Sequence, residues 1–140
     1  MSVLHFVNRF FFPDHSATSQ LLSDLAFQLA KTGLSVHIIT SRQIYDNSHA
    51  NLPAQEIIDN VRVTRVWTTR FGREKLLGRT MDYITFYLSA AWSLIVTVKS
   101  CDIIVAKTDP PLISAIAAVV AKGRGAKLIN WIQDLFPEVA

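Results

Sequence analysis

Apolar and polar positions along this chain fall into short runs, and the period of each run predicts an element. Val3 to Val7 is apolar apart from His5. A run without a polar face predicts a strand buried on both sides, as in parallel sheets. Arg9 to Thr18, punctuated by Pro13-Asp14, reads as a loop. Leu21, Leu22, Leu25 and Leu29, with Ala26 and Ala30, then recur at helical spacing, and Gly33 stands where a helix-terminating glycine belongs. Val36 to Thr40 is a second strand. Arg42 to Asn60 is polar, carries Pro53, and reads as a surface excursion. Val61 to Trp67 alternates, which predicts a strand with one wet face near the sheet edge. A helix over Leu76 to Lys99 and a strand over Asp102 to Lys107 follow. A helix from Pro110 to Lys122, stopped by Gly123 and Gly125, leads to a strand from Lys127 to Ile132.

The order β-α-β-β-α-β-α-β, with long helices between strands, predicts an α/β fold: a Rossmann-like, mostly parallel sheet with helices on both faces. No internal repeat, linker or low-complexity segment divides it, so residues 1–140 read as a single domain.

Composition narrows the picture. Half of the 140 residues are apolar and 18% are charged, which favours a packed core over disorder. The single cysteine, Cys101, excludes an internal disulfide and a cysteine-rich metal site, and fits a reducing compartment. The first residues lack the basic segment, apolar stretch and small-residue cleavage site of a secretory signal. Tyr83 to Val98 is uncharged for sixteen residues, but is diluted by Thr85, Ser89, Ser93 and Thr97. It falls short of the roughly 20 residues a membrane span needs, so a buried helix is expected there, with Trp92 in its core, and a membrane-surface helix is the alternative.

The net charge of +3 is uneven: Arg62, Arg65, Arg70, Arg73, Lys75 and Arg79 stand against one acid, Glu74. Such a cluster points to an anionic partner. Stacking on nucleic acid would need exposed rings among the arginines, and only Trp67 and Phe71 are near. The expectation is therefore an anionic membrane or acceptor contacted by Arg70, Arg73, Lys75 and Arg79, and no nucleic acid.

Ligands of open α/β sheets bind beyond the carboxyl ends of the strands, where the strand order reverses. Three loops are expected there: Asn8 to Ser19, Thr108 to Pro111, and Gln133 to Leu135. The first contains no glycine, which excludes a dinucleotide fingerprint. The chain also lacks a phosphate-binding Gly-Lys-Ser/Thr loop, a His-Glu-x-x-His pair and a Gly-x-Ser-x-Gly elbow. No metal or cofactor is expected. The first loop does offer Arg9, Asp14, His15, Ser16 and Thr18 beside a helix N-terminus. These can cap the helix, hold an anionic or polyhydroxyl ligand, or do both. Lys107 and Asp109 stand at the second loop, where Asp109 before Pro110-Pro111 is also a good helix cap. His5 and His37, inside strands, read as packed core histidines. Of Phe10-Phe11-Phe12, one ring is expected to pack inward and one to line the cleft. Asp134 follows the last apolar strand, so its carboxylate is the candidate for chemistry, with helix capping as the alternative.

Four segments in order carry a resemblance. They are Phe11 to Ala26, Gly33 to Thr40, Thr108-Asp109-Pro110-Pro111-Leu112, and Asp134-Leu135-Phe136-Pro137-Glu138. Together they resemble the N-terminal domain of GT-B glycosyltransferases of family 4, most of all the bacterial members that build cell-surface polysaccharides. Where the family often carries Gly-Gly, Ser16-Ala17 stand here. The resemblance implies a retaining glycosyltransferase in which this chain is the acceptor-binding half. The nucleotide-sugar donor would be held mainly by a C-terminal domain absent from this chain, and the acceptor would be a glycan or lipid-linked. It also gives Asp134 the duty of orienting or deprotonating the acceptor hydroxyl. The half by itself is expected to be inactive. The expected location is the cytoplasm, peripheral to the inner face of the plasma membrane. A stand-alone, non-enzymatic half that recruits a partner carrying the donor site is the first alternative, and a Rossmann-like nucleic-acid-binding domain using the Arg62 to Arg79 patch is the second.

Overall fold

The computed structural model describes residues 2–12, 17–42, 52–71, 75–107 and 113–131, with the side chains of 17, 18 and 107 left aside. The elements are β1 (Val3–Val7), α1 (Ala17–Lys31), β2 (Ser35–Ser41), β3 (Gln55–Ile58), β4 (Val61–Val66), α2 (Leu76–Thr97), β5 (Ile103–Lys107), α3 (Ile113–Arg124) and β6 (Lys127–Trp131). The six strands form one sheet in the order β3-β4-β2-β1-β5-β6. Every pairing is parallel except β3 with β4.

The apolar runs make sense once both faces are covered. Neighbours along a strand point to opposite faces, so Phe6 and Ile38 join one core while Val7 and Ile39 join the other. The first core is closed by Leu22 and Ala26 of α1, the second by Phe86, Ala90 and Leu94 of α2 and Ala117 of α3. Gly33, at φ 95°, ends α1 as its left-handed stop, its N–H bonded to the Ala30 carbonyl at 3.1 Å.

Four expectations are corrected. The excursion after β2 contains a strand, β3, which pairs with β4 through the two-residue turn Asp59-Asn60. Both turn residues have positive φ (48° and 68°), the conformation that two-residue hairpins require and that Asp and Asn tolerate. β4 is thus second from the edge, and its alternation slips after Thr64. Arg65 falls on the same face as Val61 and Val63 and is buried, while Val66 enters the opposite core. Gly123 lies within α3, and only Gly125, at φ 72°, ends it. α2 is a helix, but it buries one face only: Trp92 is 67% exposed. Among the described residues no helix is long and apolar enough to cross a membrane.

Candidate functional site

The strand order reverses between β1 and β5. β2 and β4 follow β1 on one side, after which the chain crosses over α2 to β5 and β6 on the other. The carboxyl ends of β1, β5 and β6 are therefore neighbours, and the three loops singled out in the sequence leave from them. Asp14, His15, Ser16, Asp109 and Asp134 lie outside the described residues, as does Arg73. Thr18 is in the first turn of α1, and Lys107 is the last residue of β5.

The described floor of this cleft is held by buried polar bonds. Ser41, the last residue of β2, donates to the Arg9 carbonyl from both its N–H (3.0 Å) and its Oγ (2.6 Å). Arg65 reaches up from β4. Its Nη2 donates to the Phe12 carbonyl at 2.9 Å and its Nη1 to the Pro53 carbonyl at 3.2 Å, and it is ion-paired with Glu56. The beginning of the first loop is thereby fixed to β2 and β4 rather than left to solvent. Phe10 and Phe11 pack inward and Phe12 is 45% exposed, so two rings of the triplet are buried rather than one.

The Arg9 side chain turns under the cleft. It is buried, with its guanidinium 5.0 Å from the ring centres of Phe10 and Tyr83, and its Nη2 is 3.7 Å from Oδ2 of the fully buried Asp82. The other carboxylate oxygen of Asp82 accepts from Thr69 Oγ1 (2.5 Å) and from the Phe71 N–H (3.1 Å). One carboxylate on α2 therefore ties the exit of β1 to the segment leaving β4. Arg9 is positioned to shape the cleft floor through this ion pair, a use its sequence position did not reveal.

Asn8 and Thr40 were not singled out in the sequence. Asn8 bonds through its N–H to the Ile39 carbonyl (3.2 Å) and through Nδ2 to the Phe10 carbonyl (2.7 Å). Its Oδ1, and the Oγ1 of the neighbouring buried Thr40, have no hydrogen-bond partner among the described residues. Buried polar atoms are seldom left unpaired, and here two lie at the ligand end of the two central strands. A residue pair flanking the end of an apolar strand was the available signal.

A second buried polar chain crosses the sheet under α2. His5 Nε2 lies 2.9 Å from Asp102 Oδ2, His5 Nδ1 is 2.8 Å from His37 Nδ1, and His37 Nε2 is 2.8 Å from Thr64 Oγ1. Asp102 also accepts from the N–H groups of Val3 (3.0 Å) and Lys99 (2.9 Å). Burial of both rings favours the neutral imidazoles, and with these one proton arrangement satisfies every contact. Ionised Asp102 accepts from His5 Nε2–H, His5 Nδ1 accepts from His37 Nδ1–H, and His37 Nε2 accepts from the threonine hydroxyl. Both imidazoles are then neutral. Burial lowers the pKa of His5 against the opposing pull of Asp102. Burial, with the Arg62 charge and His5 beside it, lowers that of His37 to about 3. Burial alone would raise the Asp102 pKa, but the bonds from His5, Lys99 and Val3 hold it below the usual carboxylate value. Both histidines are thus core residues, as their strand positions indicated, and they lie on the face away from α1.

Of the basic cluster, Arg65 is consumed internally, Arg62 is exposed on β4, and Arg70 and Arg79 are half-buried near the start of α2. Lys75, the residue before the helix, is exposed.

No protein-family model and no curated protein matches the sequence. Among solved structures the chain is similar to sucrose-phosphate synthase from Thermosynechococcus elongatus, with a TM-score of 0.67 at 12% identity. The match covers 96% of this chain and 34% of that one. At such identity the likeness establishes the fold alone: a Rossmann-like, mostly parallel α/β unit with helices on both faces, matching one half of a GT-B fold.

Proposed function

We propose that this chain is the acceptor-binding half of a retaining glycosyltransferase of family 4 type, working in cell-surface polysaccharide synthesis. The observation that carries the reading is the fold likeness. Nearly the whole chain aligns with about a third of a sugar-transferring synthase, and its strand order reverses between β1 and β5, where α/β sheets bind ligands. The donor nucleotide sugar is assigned to a separate C-terminal domain, and the acceptor is a glycan or a lipid-linked sugar. The transfer breaks the bond between the donor's anomeric carbon and its diphosphate. It forms the bond to the acceptor oxygen and releases that hydroxyl's proton. Asp134, just beyond β6, is the group assigned to orient the hydroxyl or take the proton, with Lys107, Asp109 and the loop from Arg9 to Thr18 lining the approach.

Two measurements test this. The 140-residue chain, incubated with a panel of nucleotide sugars, transfers nothing. Turnover, or donor binding tighter than about 10 μM (roughly −7 kcal/mol), overturns the division of labour. In the enzyme carrying both halves, Asp134→Asn keeps donor affinity and melting temperature but loses roughly 10²- to 10⁴-fold in rate, as expected for a positioned base. A variant that melts about 1 kcal/mol early and turns over normally marks Asp134 as a helix cap instead.

A further inference from the structure

We infer that the outward face of α2 lies flat on an anionic lipid surface. This stands on the described residues alone and does not require the glycosyl-transfer reading. Leu77, Met81, Ile84, Leu88, Trp92 and Ile95 recur every three or four residues, so they form a single line along the helix, and all are exposed. Leu88 and Trp92 are 68% and 67% exposed, far beyond what a core-facing stripe would show. Trp67 and Phe71, on the segment that α2 packs against, extend the same apolar surface at 62% and 65% exposure. A contiguous apolar patch of this extent on a folded chain marks an interaction surface.

Charge decides what covers it. α2 carries one acidic residue, Asp82, which is fully buried and bonded inward. The exposed face has no negative charge anywhere along its 22 residues. Cations bracket it: Lys75 and Arg79 at the start, with Arg70 close by, and Lys99 just past the end. The first turn contains no acid to offset the helix's positive end, so positive potential concentrates there. A second copy docked by two-fold symmetry would pair the two faces either antiparallel, with Lys75 and Arg79 opposite Lys99, or parallel, with each cation beside its own copy, and both set like against like. A bilayer with anionic headgroups satisfies both features: apolar side chains and Trp92 enter the headgroup–acyl boundary while the flanking cations meet phosphates. Spanning is not required, and α2 does not have the hydropathy for it.

The test is sedimentation of the 140-residue chain with vesicles of phosphatidylcholine alone or containing 30% (about a third) phosphatidylglycerol, a composition chosen for its negative surface potential. It is combined with quenching of tryptophan fluorescence by lipids brominated along the acyl chain. The expected result is binding to the anionic vesicles that weakens with added salt, and quenching that falls sharply in Trp92→Phe. Each exposed lysine replaced by Gln, Lys75 or Lys99, should lower partitioning roughly fivefold. Leu88→Glu with Trp92→Glu should abolish binding, with far-UV circular dichroism checking that the variant folds. Failure to sediment with anionic vesicles, binding unchanged by the Leu88 and Trp92 replacements, or a salt-stable dimer that ignores vesicles overturns the inference. Brominated-lipid quenching of the unaltered chain decides the matter even if the double variant does not fold.

Discussion

Acidification should unfold this protein through His37, and the size of the effect can be worked from its surroundings. A proton added to His37 goes to Nε2, which now accepts from Thr64, or one added to His5 goes to Nδ1, which now accepts from His37. The second case sets two N–H groups against each other at 2.8 Å unless His37 moves its own proton to Nε2 and donates to Thr64. It is chiefly the burial of both rings that opposes the charge. The folded state therefore resists protonation, whereas the unfolded chain takes up the proton near 6.5. With a folded pKa of about 3, the unfolded state binds more protons between those values, so stability rises with pH across that window and falls as pH drops. At pH 5 the linkage amounts to about 2 kcal/mol relative to pH 7.5 for this one group. For a chain of this size that is roughly 6 °C in Tm. His5, also lowered, adds to the loss in the same direction. Asp102, held low by its hydrogen bonds, contributes stability that is lost only below the ordinary carboxylate range, so it does not confuse the comparison. The assay is urea unfolding followed by circular dichroism at several pH values between 7.5 and 5, for the wild type and for His37→Gln. The glutamine amide can still donate to His5 and accept from Thr64 but does not titrate. The variant should lose about 2 kcal/mol less than the wild type across that range. Parallel pH profiles for the two proteins would refute the neutral-imidazole arrangement.

Two further replacements probe the frame around the cleft. Asp82→Ala leaves Arg9 buried without its counter-charge and frees the Thr69 and Phe71 donors, so a loss of about 3–5 kcal/mol is expected by chemical denaturation. A loss under about 1 kcal/mol would mean that solvent reaches the arginine. Gly125→Ala forces a side chain into φ 72° with its Cβ 3.3 Å from Ser100 Oγ. It should cost on the order of 1 kcal/mol and lower the melting temperature by a few degrees.

The amino-acid sequence by itself determined the elements and their class. The periods of Val3–Val7 and of Leu21 to Ala30 are local, and burial on one or two faces is written directly into them. The switch-point loops followed from element order, because parallel strands joined by helical crossovers leave few topologies open. Composition could not say which polar groups are spent inside the fold. Arg65 looked like part of a surface cluster and is buried against Glu56 and the Phe12 carbonyl. Trp92 looked like core and faces outward. Strand β3 was missed because it is only four residues, Gln55-Glu56-Ile57-Ile58, set in a polar stretch, and only pairing with β4 makes them a strand. The ties of His5 to Asp102 and of Arg9 to Asp82 join residues from distant parts of the chain. No local period encodes such pairs. They exist because the sheet places β1 beside β5 and lays α2 across its face, and burial then obliges each charge or ring nitrogen to find the partner that packing supplies.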